Sequence, residues 1–81
     1  MATVKLSPGE EQLIASIIEH VYPEPKAGTI LPVEHAEKRA ARGLANKGLV
    51  VLGVDERGYD QMTFTAAGQT IYEQRLAAAN R

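Results

Sequence analysis

LANKGLVVLGVDERGYDQMTFTAAG, residues 44–68, carries the punctuation of a helix end, a hairpin and a new helix. Leu44 to Lys47 closes a helical pattern and Gly48 stops it, because glycine adopts the left-handed backbone that ends helices at little cost. Leu49 to Val54 then reads as a strand. Asp55-Glu56-Arg57-Gly58 reads as a turn, in which Gly58 can take the positive φ that hairpin turns need. A second strand is expected over Gln61 to Thr65, with Met62 and Phe64 on one face and Gln61, Thr63 and Thr65 on the other. A last helix starts at Thr65-Ala66-Ala67-Gly68 and runs from about Ala66 to Ala79, with Ile71, Tyr72 and Leu76 on one side.

Upstream, Ser7-Pro8-Gly9-Glu10 is a helix start. Ser7 can cap free amides, Pro8 suits the first helical position, and Glu10 completes a capping box. Leu13, Ile14, Ile17, Ile18 and Val21 recur at helical spacing, so a first helix is expected from about Pro8 to His20. Glu10, Glu11 and Glu19 would make its remaining surface acidic. Tyr22-Pro23-Glu24-Pro25-Lys26-Ala27-Gly28 breaks that helix, since proline cannot continue it. Thr29-Ile30-Leu31 reads as a brief edge strand stopped by Pro32. A second helix is expected over roughly Val33 to Lys47, with Val33, Ala36, Ala40, Ala41 and Leu44 facing inward. Its opposite face gathers His35, Lys38, Arg39, Arg42 and Asn46, with Glu34 beside them. The fold class that follows is α+β, three helices plus a small antiparallel sheet, with residues 1–81 forming a single domain.

Composition bounds the function. A chain of 81 residues buries only about 60–65% of its unfolded surface, so a further apolar face closed in a homodimer is a reasonable expectation. Cysteine is absent, which removes disulfides, thiol catalysis and cysteine-based zinc sites. No apolar run could span a bilayer, and no leader pattern opens the chain; a cytoplasmic protein is expected. His20 and His35 lack metal-ligand spacing, and His20 reads as a helix C-terminal residue favoured by the dipole. Ser7 and Ser16 sit in no nucleophile motif, and the glycines fall singly rather than in a phosphate loop. Neither catalysis nor a cofactor or metal is expected.

The helix, hairpin, helix order, with L-x-x-KGLV before the hairpin and F-T-x-AG after it, resembles the winged-helix domains of small bacterial or phage regulators. The likeness runs from Ser7 to about Arg75. It implies a first helix at LSPGEEQLI, a first strand at Thr29-Ile30-Leu31 and a wing from Leu49 to Thr65. It puts Val33 to Lys47 where the recognition helix stands. The usual helix-turn-helix needs two helices joined by a short turn. Only one fits between Pro32 and Gly48, so the supporting helix is expected to be missing or reduced to a single turn.

Two functions follow from that resemblance. In the first, the chain is a small DNA-binding, transcription-regulating module. Arg42 would reach guanine, Asn46 adenine, and Lys38 and Arg39 phosphates of double-stranded DNA, with His35 on the same face. Against it stands a solvated helix face with Glu34 and Lys38 paired at i, i+4. In the second, the winged helix is reused to bind a protein, as a phage-encoded regulator or inhibitor of a host complex would. Asp55, Glu56, Tyr59 and Asp60 would then meet a basic partner through an acidic wing and an exposed aromatic. A net charge of −1 and a wing short of lysine and arginine favour the second reading. The usual occupation of the resembled domains favours the first.

Overall fold

Ser7 opens the first helix, α1 (Pro8–His20), with the expected reciprocal cap: Glu10 N–H donates to Ser7 Oγ at 3.3 Å, and Ser7 N–H donates to Glu10 Oε1 at 3.0 Å. The computed structural model describes residues 5–21 and 24–79. The expected helix break at Tyr22-Pro23 lies outside them, as does any packing by Tyr22. After α1 come β1 (Ile30–Pro32), a 3-10 turn (His35–Glu37), α2 (Lys38–Asn46), β2 (Val50–Val54), β3 (Asp60–Phe64) and α3 (Ala66–Ala79). The three strands form one antiparallel sheet in the order β1-β3-β2. The class is α+β, as expected.

Pro32, expected to stop β1, instead belongs to it and lies opposite Gln61. The reason is geometric. Val33 N–H donates to Asp60 O and Phe64 N–H donates to Thr29 O. Bonded pairs alternate along an antiparallel ladder, so Pro32's missing donor falls on the open edge, where proline costs no ladder bond.

The second helix begins later than its periodicity suggests. Val33 is still tied to the sheet, and Glu34 is extended with φ −75° and ψ 159°. A 3-10 turn follows, in which Glu37 Oε1 accepts from Glu34 N–H at 3.3 Å, and α-helical geometry starts only at Lys38. Ala36, expected to face inward, is exposed because it rides on that turn. At the far end, Gly48 takes φ 77°. Leu49 N–H reaches Leu44 O and Gly48 N–H reaches Ala45 O, both at 3.0 Å, the paired closure that satisfies the last helical carbonyls.

The hairpin turn is held by Asp55, whose carboxylate accepts from the N–H groups of Arg57 (2.8 Å) and Tyr59 (2.9 Å), with Gly58 at φ 85°. Thr65 then joins three elements. Its hydroxyl donates toward Gly48 O (2.7 Å) and Leu49 O (3.0 Å), and accepts from Gly68 N–H at 3.1 Å. Gly68 lets α3 lie directly on the Leu49 carbonyl, because a Cβ there would overlap that backbone oxygen. Gly68→Ala is therefore expected to lower stability by about 1–3 kcal/mol, a fall in melting temperature of several degrees. A circular-dichroism melt indistinguishable from the parent's would show that α3 can slide off Leu49 freely.

One core joins the three α-helices and the three strands: Leu13, Ile14 and Ile17 of α1, Leu31, Ala41 and Leu44, Val50, Met62 and Phe64, and Ile71 and Tyr72 of α3. Phe64 and Tyr72 meet edge-to-face with ring centroids 6.2 Å apart. Ile71 and Tyr72 are thus occupied inside the molecule and Leu76 packs beside them.

The expectation of an acidic α1 surface is corrected. Only Glu19 stands exposed there with its charge outward. Glu11 binds Arg75 through two oxygens, at 2.8 and 3.1 Å. Glu10 is buried and ion-paired with Lys47 at the end of α2. Burial alone would raise the Glu10 carboxyl's pKa. The hydrogen bond and charge of Lys47, with the Ser7 bonds, outweigh it and hold the group below its ordinary range. This pair fastens α2 to α1.

Candidate nucleic-acid interface

Every residue proposed for DNA lies on the 3-10 turn or α2. His35 stands on the turn, Arg39, Arg42 and Asn46 stand on the helix face opposite Ala41 and Leu44, and Lys38 stands on its flank toward the hairpin; all five are exposed. The helical period brings Arg39, Arg42 and Asn46 within one strip about two turns long. The burial of Ala41 and Leu44, each 0% exposed, is what fixes that strip outward.

Lys38 has a partner that sequence spacing did not suggest. It pairs with Asp60 of β3 at 2.9 Å, not with Glu34, which sits before the helix proper in extended backbone. One ion pair therefore ties the helix face to the hairpin. It takes one cation from the proposed DNA surface and one anion from the proposed acidic wing. Asp55 is also engaged, as the acceptor that closes the turn. Among the described residues, Arg39, Arg42, Glu56 and Arg57 have no ion-pair partner. Two unpaired arginines thus remain on α2, with Glu34 and Glu37 unpaired just before it, while the hairpin tip keeps the charges of Asp55 and Glu56 beside Arg57.

No known family model, curated protein or solved structure matches this chain.

Tyr59, expected as an exposed aromatic, is 67% exposed, and the hairpin adds a surface that sequence reading did not single out: Val51 (60% exposed), Leu52 (41%) and Val54 (61%) are large apolar side chains in solvent. Leu52 borders a shallow cleft shared with Val33, Lys38, Ala41 and Arg42. The signal was present in the uncharged run VVLGV, but strand periodicity alone does not say which neighbours a strand lacks. His20 and His35 lie on separate elements, and among the described residues no group of three or more His, Asp or Glu side chains gathers as a metal site would require. Among the same residues, no helix is long and apolar enough to cross a membrane.

Proposed function

We propose that this protein is a small non-enzymatic module that binds double-stranded DNA through the outer face of α2. The observation that carries the reading is the exposed Arg39 and Arg42, unpaired among the described residues, on one helix strip with Asn46 and next to His35 on the preceding turn. The order helix, strand, helix, hairpin, helix supports it, since it resembles that of a winged helix in which the 3-10 turn of His35–Glu37 would stand for the supporting helix. That turn runs straight into α2, so no second helix braces α2 across a groove. Contacts to phosphates should then outweigh base readout, which gives weak affinity and little sequence preference.

Fluorescence anisotropy with a random duplex tests this. Binding is expected near the micromolar-to-submillimolar range of non-specific complexes, with a log–log salt slope of about −2 from the two free arginines. Arg42→Glu should weaken it by about tenfold or more while leaving the far-UV circular dichroism unchanged. Absence of binding at low salt, or an affinity indifferent to Arg42→Glu, would refute the proposal.

The exposed apolar side chains of the hairpin favour a second reading, a winged helix that binds a basic protein through Glu56, Asp60, Asp55 and Tyr59, as a regulator or inhibitor of a host complex. Tyr59→Ala and a charge-reversed Glu56 should both lose such a partner, and retention by both would count against it.

A further inference from the structure

The two outer edges of the sheet differ in a way that assigns a docking site. Edge β1 is three residues long and carries Pro32, a combination that blunts further pairing. Edge β2 is Val50-Val51-Leu52-Gly53-Val54, five residues with neither proline nor charge. Proteins usually protect such an edge with lysine, proline, a bulge or a covering element. Among the described residues none of these guards β2, and Val51 to Val54 are all exposed.

Its free hydrogen-bonding groups can be placed residue by residue. Asp55 N–H donates to Tyr59 O, and Thr65 N–H donates to Leu49 O. These fix the bonded pairs of the β2–β3 ladder, whose register sets Val51 against Thr63 and Gly53 against Gln61. By the antiparallel alternation, Val51 and Gly53 spend their backbone groups on β3, while Val50, Leu52 and Val54 point theirs outward. Among the described residues, no backbone bond beyond the sheet uses those groups.

We propose that β2 pairs with β2 of a second copy of this chain, antiparallel about a two-fold axis through Leu52, to give a continuous six-stranded sheet. The strand is complementary to itself in this register and in no neighbouring one to the same degree. Leu52 faces Leu52 of the second copy, and Val50 faces its Val54, so all three outward donors and all three outward acceptors on each strand are satisfied. A shift by one pair leaves a residue of each strand unbonded. The run is uncharged, so the copies do not repel along it. A two-fold perpendicular to the sheet leaves both α2 helices on the same side. The pairing does not depend on whether those helices bind DNA, and its test uses none.

Sedimentation equilibrium over about 10 to 500 μM protein, where an interface this small associates, should show a mass rising to twice the monomer's. Val54→Lys, at an exposed position, should stay monomeric throughout with unchanged circular dichroism, whereas Ile30→Lys on β1 should dimerise like the parent. The chain has no cysteine, so single cysteines report the register. Leu52→Cys should oxidise to a disulfide-linked dimer, its Cα atoms lying about 5.5 Å apart across a bonded pair. Val51→Cys, which faces Gly53 of the second copy, should not. A parent that stays monomeric at the highest concentration, or a Val54→Lys variant that still dimerises, overturns the proposal.

Discussion

Phe64→Ala is expected to cost about 3–5 kcal/mol of folding stability, the usual range for emptying a buried phenylalanine site. Phe64 is 2% exposed, pairs across strands with Val50, and meets the Tyr72 ring edge-to-face. It therefore joins the hairpin to α3 in a core with few other aromatics, since the chain has one phenylalanine and no tryptophan. A domain of 81 residues carries only about 4–12 kcal/mol in total. The variant should be largely unfolded at modest urea, with its midpoint lowered and the slope unchanged. Phe64→Leu should lose appreciably less. A Phe64→Ala midpoint within about 1 kcal/mol of the parent's would mean that the sheet and α3 do not share this core.

Lys47→Ala is expected to produce the second largest loss at neutral pH, about 2–3 kcal/mol. Removing one member of a buried pair strands the other charge, and the figure is lowered from the fully buried case because Lys47 keeps some solvent contact. Glu10 would be left with its Ser7 hydrogen bonds and the burial that opposes ionisation. The pH dependence separates this cause from simple loss of packing. In the parent, the Glu10 pKa is lowered by folding, so its contribution is present above the ordinary glutamate range and is lost as pH falls through the lower folded value. Without Lys47 only the Ser7 bonds oppose the effect of burial, so less of that lowering remains, and the variant's deficit relative to the parent should shrink as pH drops through the carboxylate range. Urea midpoints of both proteins at neutral and acid pH measure this. A deficit that stays constant with pH would mean that Lys47 acts through its aliphatic stem alone.

The parts of the fold that were legible in the sequence are those whose chemistry is local. Ser7 with Glu10, Gly48 after Lys47, and Gly58 in the turn each act within a few residues, and each does what its type predicts. Strand and helix faces were legible wherever one side is buried, as with Met62 and Phe64 against Gln61 and Thr63. The missed features are all partnerships between distant positions. Glu10 and Lys47 are 37 residues apart, and a periodic pattern places Glu10 on a helix surface without saying what covers it. Pro32 remains in a strand because its nitrogen happens to face an open edge, a property of the neighbouring strand. Lys38 turns to Asp60 because the helix starts late and leaves Glu34 behind. The candidate DNA face was readable as a face. How many of its charges stay free was not, because that number is set by the hairpin.

The Lys38–Asp60 bond makes the two candidate surfaces thermodynamically linked. A phosphate that draws Lys38 away releases a carboxylate on the hairpin and makes it more attractive to a basic partner. Conversely, a partner that captures Asp60 hands a cation back to α2. Linkage requires these effects to be reciprocal, and an ion pair this open to water limits them to roughly fivefold or less. Each surface therefore acts as an internal counterion for the other, and occupancy of one sensitises its neighbour.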